Sequence, residues 1–266
     1  MIKKILILFY NRLIFLLNIK SFIFFSQKKI EDEQNSFFNF LQLNRKKGLE
    51  RLKKIFQSHS YLKDAMNSEH QVFFSSLSKK KKINSILEIG TYDGKNAFLL
   101  SKLFPKSLIT TVDLPDESKE FNTTYNRNNI ENRRKFYERR DLLLSGILNL
   151  KFLKKNSIQL LNYFEKFDLI WIDGAHGHPV VSVDILNSLR LLNEDGIIAC
   201  DDILVHKLRK QDSVYHSNAA HELIEALKLS GIIDVTYIYK RTLKKYNVNL
   251  KLRKYIAIFK KNELFF

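Results

Sequence analysis

The sequence predicts a doubly wound α/β domain with a mostly parallel sheet, preceded by a helical N-terminal extension. Three observations predict it. From residue 83 onward, short apolar runs alternate with helical stretches, the texture of a parallel sheet covered on both faces. Before residue 83, apolar residues recur three and four apart, as on one face of a helix. The chain has 266 residues, 45% apolar and 12% aromatic, enough to bury a large core.

Residues 1–25, MIKKILILFYNRLIFLLNIKSFIFF, are apolar but interrupted by Asn11, Arg12, Asn18 and Lys20. The uninterrupted run is shorter than the ~20 residues a membrane span needs, and no small-residue cleavage site follows. Ile2, Ile5, Leu6, Phe9, Leu13, Leu16 and Leu17 share one helical face, with Lys4, Asn11 and Asn18 opposite. That amphipathic helix either lies on an anionic membrane surface or packs on the domain or a second copy in a homo-oligomer. The protein is expected in the cytoplasm, and on the first alternative at the membrane periphery. Residues 31–82 complete the extension as helices, and Lys79–Lys82 close the last of them, where the macrodipole favours cations.

The core begins with SILEIG (85–90), followed by a helix over 95–104, LITTVDL (108–114) and a polar helical stretch of about 30 residues. A third strand is expected within 150–157 and a fourth at FDLIWID (167–173). A helix over 179–192, the strand GIIACDD (196–202) and a helix over 217–230 come next. The chain ends with IIDVTYIY (232–239), a basic connection at 240–253 and KYIAIFKK (254–261). The division is thus 1–82 for the extension and 83–266 for the α/β domain.

Cys200 is the one cysteine, which excludes an intrachain disulfide and a cysteine-rich zinc site. The net charge of +17 is uneven: +11 over residues 1–84, −2 over 85–239 and +8 over 240–266. The basic ends suit nucleic acid, anionic lipid or an acidic substrate, or simply reflect a lysine-rich composition.

The first strand runs into Glu88-Ile-Gly90-Thr-Tyr-Asp-Gly94. Glycines after a buried strand permit a tight turn and close approach of backbone to a ligand, and the next helix offers free N–H groups. Asp113 ends the second strand 19 residues after Gly94, placed to accept both hydroxyls of a ribose. A nucleoside-containing ligand is therefore expected at the carboxyl edge of the sheet.

The pattern is E-x-G-x-x-x-G rather than G-x-G-x-x-G. It resembles the first motif of class I S-adenosylmethionine-dependent methyltransferases, a resemblance that extends over about residues 84–260. It implies a Rossmann-like, seven-stranded sheet whose last strand is an antiparallel insertion. It also implies S-adenosyl-L-methionine as cofactor, held by Glu88, Gly90, Gly94 and Asp113, with Asn156 and Ser157 lining the adenine.

The fourth strand ends in Asp173-Gly-Ala-His176-Gly-His178 and the fifth in Asp201-Asp202. Carboxylates and imidazoles converging at one edge need a metal, water or a partner to offset their desolvation. Oxygen-rich donors favour Mg²⁺, Mn²⁺ or Ca²⁺ over Zn²⁺. The constellation resembles the metal-dependent small-molecule and sugar O-methyltransferases. That resemblance implies a divalent cation (Mg²⁺) on Asp173, Asp201 and Asp202, and His176 as general base. Alternatively Asp173 and Asp202 cap loops or bind the cofactor amine. Asp184 reads as a helix-surface residue, solvated or packed, and His206, His216 and His221 as scattered histidines.

The expected acceptor is a small hydroxylated molecule such as a sugar. The competing readings are an RNA methyltransferase using the basic ends, or a non-catalytic membrane-surface binding protein of the same fold. No Asn-Pro-Pro-Tyr-type tetrapeptide follows the fourth strand, which disfavours nucleic acid as a partner. The absence of a recognisable Tyr-x-x-x-Lys pair disfavours nicotinamide chemistry.

Overall fold

The structure, a computed structural model, describes residues 26–59, 68–123, 128–206, 216–247 and 249–262. The apolar segment 1–25, with its expected amphipathic helix, lies outside the described residues. Among the described residues no helix is long and apolar enough to cross a membrane.

Three helices come first: α1 (Gln27–Phe40), α2 (Arg45–Ser58) and α3 (Glu69–Lys80). The side chains of Ser26 and Asn44 accept from the N–H groups of Lys29 and Lys47, capping α1 and α2. Helix α3 ends at Lys79 and Lys80, as the lysine run predicts. Then follow β1 (Ser85–Ile89), α4 (Lys95–Leu103), β2 (Leu108–Asp113), α5 (Lys119–Thr123), α6 (Ile130–Leu144) and β3 (Leu150–Lys154). The chain continues through β4 (Phe167–Ile172), α7 (Val180–Leu191), β5 (Leu192–Leu204), α8 (Ala219–Leu229), β6 (Ile233–Tyr239) and β7 (Lys254–Lys261).

The seven strands form one sheet in the order β3-β2-β1-β4-β5-β7-β6. The pairs β1–β2, β1–β4, β2–β3 and β4–β5 are parallel, and β7 runs antiparallel between β5 and β6. This is the expected doubly wound, Rossmann-like arrangement with its antiparallel last strand. The chain order reverses between β1 and β4, so the carboxyl ends of these two strands flank the crevice where ligands bind in open α/β sheets.

Side-chain alternation along the central strands divides the core in two. Leu169 and Trp171 of β4 face one apolar cluster, and Ile170 and Ile172 face the other. The first cluster contains Phe38, Phe73 and Phe74 from the N-terminal helices beside Ile256 and Ile258. The described part of the extension is therefore one wall of the sheet's core. Full burial of each such phenylalanine contributes about 1.5–3 kcal/mol. Helices α7 and α8 close the opposite face through Val181, Ile185 and Ile224.

Three expectations change in detail. Strand β5 starts at Leu192 and reaches Leu204, with a register shift between Cys200 and Ile203, so Asp202 sits in a bulge rather than at a strand terminus. The polar stretch after β2 is two helices, α5 and α6. The basic connection 240–253 includes the short 3₁₀ turns Lys244–Tyr246 and Leu250–Leu252, and Asn247 donates to the carbonyls of Arg241 and Leu243. Cys200 is buried, as its strand position predicts.

Candidate active site

The loop after β1 is fixed by its crossing with the loop after β4. Gly90 has φ +101°, and a Cβ there would lie 2.2 Å from the Asp173 carbonyl oxygen. The Gly90 N–H donates to Val112 O and the Asp173 N–H to Ile89 O, both at 2.8 Å. Only glycine permits this approach without displacing backbone. Gly94 (φ +78°) starts α4, and a Cβ there would press on Leu144 of α6 at 3.0 Å. Between them Tyr92, with φ 48°, holds a conformation that non-glycine residues rarely adopt.

Asp113 stands at the end of β2 with one oxygen on this loop and the other on its own following residue. Oδ2 accepts from the Tyr92 N–H at 2.7 Å and Oδ1 from the Leu114 N–H at 2.8 Å. Its half-buried carboxylate is placed where the sequence predicts a ribose contact. Glu88 lies beneath the loop, wholly buried, and accepts from Asn96 Nδ2 at 2.8 Å and from the Thr111 hydroxyl. Burial pushes its carboxyl up to about 7. Glu88 therefore supports the loop from below. After β3, Lys155 N–H donates to Asp113 O. The exposed Asn156 spends its side chain capping the turn at Ile158 N, and the half-buried Ser157 lies beside Asp184.

Asp184 is wholly buried in α7, 3.6 Å from the position a Gly174 Cβ would take. Burial raises its carboxyl to about 6. It is a packed residue, the second of the two alternatives above.

The chemical residues gather beyond β4 and β5. His176 is buried, its Nε2 3.9 Å from Asp173 Oδ1 and 3.7 Å from Asp202 Oδ2. Burial lowers the imidazole below the ordinary histidine value, against the pull of Asp202 and Asp201. Loss of hydration, reinforced by Asp201 and Asp202, pushes Asp173 well above the usual carboxylate range. Asp202, with φ 56°, occupies a conformation that the surrounding contacts must hold in place.

Two lysines that sequence reasoning missed enter here. Lys240, just past β6, places Nζ 2.6 Å from Asp201 Oδ2 and also donates to Asp202 Oδ1. Lys254, at the start of β7, donates to Asp202 Oδ2 at 2.7 Å. Lys240, His176 and Lys254 hold Asp202 well below its ordinary range despite burial, and the carboxylates raise Lys240. Among the described residues, no group of three or more His, Cys, Asp or Glu side chains is arranged to hold an ion. Asp173, Asp201 and Asp202 do converge, but both oxygens of Asp202 and one of Asp201 are engaged by ammonium groups. The donor set in this arrangement does not fit the divalent cation that the sequence suggests.

His70 of α3 was also missed. Its ring is wholly enclosed, 4.7 Å from that of Trp171, with Nδ1 2.9 Å from Ser68 Oγ, and burial lowers it to about 4. His178 is exposed and pairs with Ser182 Oγ, and His206 and His216 are exposed. His221 is partly buried and packs against Tyr237.

Residues 87–203 match the family described as a methyltransferase domain. No curated protein sequence matches the chain. The O-methyltransferase TomG from Streptomyces achromogenes, solved with S-adenosylmethionine, superposes with a TM-score of 0.54 at 15% identity, covering 90% of this chain and 99% of that one. An O-methyltransferase from Bacillus cereus, solved with S-adenosylhomocysteine, gives 0.50 at 16% identity over 89% and 100% of the two chains. The N-methyltransferase NodS from Bradyrhizobium japonicum also gives 0.50, at 15% identity over 73% and 96%. At such identities these likenesses speak for the fold, which serves both oxygen and nitrogen acceptors. The matched segment spans the glycine loop, Asp113 and both acidic strand ends, so residues 87–203 form a methyltransferase domain on a sheet of the fold shared with S-adenosylmethionine-dependent enzymes.

Proposed function

We propose that the protein methylates an oxygen of a small hydroxylated acceptor, such as a sugar, with His176 as general base. The observation that carries this reading is the placement of His176. It is a buried imidazole between Asp173 and Asp202, on the sheet edge that holds the glycine loop and Asp113. The loop 90–94 and Asp113 would hold the nucleoside, Asn156 and Ser157 the base, and Asp173 the cofactor's amine. S-adenosylmethionine supplies a methyl group on a positively charged sulfur, which leaves as a neutral thioether.

The chain's own residues then have two tasks. They align the acceptor oxygen, which accounts for much of the rate in a reaction of this type. They also take its proton as the new O–C bond forms. His176 is neutral near pH 7 because burial lowers it, so it is ready to accept that proton. Asp202 stays ionised and stabilises the imidazolium that results.

Calorimetric titration with S-adenosylhomocysteine, followed by transfer of labelled methyl to a panel of sugars, tests the reading. Cofactor binding with label in alkali-stable methyl ethers is the expected result. Absence of S-adenosylhomocysteine binding would overturn it for this chain. Label found only on amines would move the acceptor from oxygen to nitrogen.

A further inference from the structure

The three carboxylates suited to a divalent ion come together around an ammonium. Lys240 Nζ contacts Asp201 and Asp202, and Asp173 stands beside them, 3.9 Å from the His176 Nε2 that lies 3.7 Å from Asp202. The Lys240 side chain is 6% exposed and that of Asp201 1%. Lys254 occupies the remaining oxygen of Asp202. Magnesium requires near-octahedral oxygen coordination at about 2.0–2.1 Å, so the lone pairs that face it must be free. Here one buried oxygen of Asp201 is left without a protein partner, while its neighbours already hold N–H donors.

The backbone fixes Lys240 from two sides. Its N–H donates to Lys254 O at 3.0 Å. Its carbonyl accepts from the Glu69 N–H at 2.9 Å and the Ser68 hydroxyl at 3.2 Å. One side belongs to the sheet and the other to the start of α3. Such anchoring is what a permanent constituent of a site needs, since its support restricts the space in which the ammonium can move.

We propose that Lys240 is the resident cation of this site. Its ammonium takes the place of a divalent ion among Asp173, Asp201 and Asp202 and presents a fixed positive charge towards the acceptor. The protein then binds no divalent cation there, and methyl transfer requires none. The role in transfer rests on the methyltransferase reading above; the exclusion of metal does not. The lysine also explains why a stretch of charges so dense in carboxylates is tolerated at a buried edge.

Manganese provides a probe with a direct readout, because binding removes the spectrum of the free ion. The full chain, with S-adenosylhomocysteine present, is expected to leave Mn²⁺ free up to about 1 mM, below the affinity range of weak oxygen sites. Lys240→Met keeps the side chain's length and removes its charge. That variant should bind Mn²⁺ at least about tenfold more tightly than wild type, and Asp202→Asn added to it should abolish the gain. Stoichiometric Mn²⁺ binding by the wild type, lost in Asp202→Asn, would overturn the proposal. So would a folded Lys240→Met that binds no more Mn²⁺ than wild type. If Lys240→Met does not fold, the wild-type titration decides alone: a bound ion refutes and a free one supports. Calorimetry with S-adenosylhomocysteine on the same preparations separates the two readings, since its failure would remove the methyltransferase reading whatever Mn²⁺ does.

Discussion

The side-chain amide of Gln34 makes both hydrogen bonds with the backbone of Tyr239 that a neighbouring strand would make. Nε2 donates to Tyr239 O at 3.2 Å, and Oε1 accepts from the Tyr239 N–H at 2.9 Å. Gln34 is wholly buried and also donates to Glu69, whose carboxylate is gripped by Arg45. Strand β6 is the sheet's edge, where unpaired backbone groups are a liability. Gln34→Ala leaves two backbone groups and Glu69 short of a partner, so it should cost about 2–4 kcal/mol in urea unfolding. A loss under about 1 kcal/mol would mean that the edge is closed by other contacts.

Asp113 is half-buried at the end of β2, outside both apolar clusters, and accepts from the N–H groups of Tyr92 and Leu114. Asp113→Ala should therefore leave the fold intact by circular dichroism. It should weaken S-adenosylhomocysteine binding about 100-fold, the size of losing two hydrogen bonds to a charged group. Unchanged affinity would remove Asp113 from the nucleoside site.

Gly90→Ala tests the loop crossing. The added methyl would meet the Asp173 carbonyl at 2.2 Å while the backbone stays at φ +101°. A loss of about 3 kcal/mol or more is expected in thermal or urea unfolding, from clash and left-handed strain together. Near-neutral behaviour would show that the β1 and β4 loops separate easily.

Glu88 gives the fold a pH dependence of definite sign. In the unfolded chain its carboxyl ionises near 4.5, and in the folded chain burial moves that to about 7. The folded state therefore binds more protons between these values. The associated stability is fully present below about 4.5 and is lost as pH rises through 7, by about 3 kcal/mol or less. Glu88→Gln should flatten this part of the urea-midpoint profile and raise stability at pH 8. A wild-type profile already flat from pH 4.5 to 8 would contradict the shift.

His176→Ala should reduce kcat about 100- to 1000-fold, as expected for removal of a general base. S-adenosylhomocysteine affinity should stay within about threefold, because the base proposed above would serve the acceptor rather than the nucleoside. Since burial lowers His176, the acid limb of the wild-type rate profile should fall below the ordinary histidine range. A variant retaining full kcat would assign the proton to another group.

The strand ends were legible because punctuation residues mark them. Gly90, Asp113, Asp173 and Asp202 each interrupt or end an apolar run, and a parallel sheet then brings them to one edge. Their partners were not legible. Lys240 opens a basic stretch that reads as a solvated connection, and its pairing with Asp201 depends on the antiparallel register of β7. His70 sits in a helix whose spacing announces only an apolar face, and Gln34 in one rich in charge. Nothing in either local pattern states which backbone each will meet. The acidic cluster was visible in the sequence, but the cations that neutralise it were not.

The anchoring of Lys240 by Ser68 joins residues 172 positions apart, and Gln34 meets Tyr239 across 205. Contacts of such separation form late and slowly, after the intervening loop has been closed. During synthesis, therefore, α1–α3 precede β6 and can pair with one another through Gln34, Arg45 and Glu69, but Gln34 and Ser68 wait for Tyr239 and Lys240. A nascent chain halted before β6 would carry the glycine loop and both acidic strand ends without the lysines that balance them. The reactive edge is thus balanced only after Lys240 and Lys254 have been synthesised, so translation itself delays its assembly.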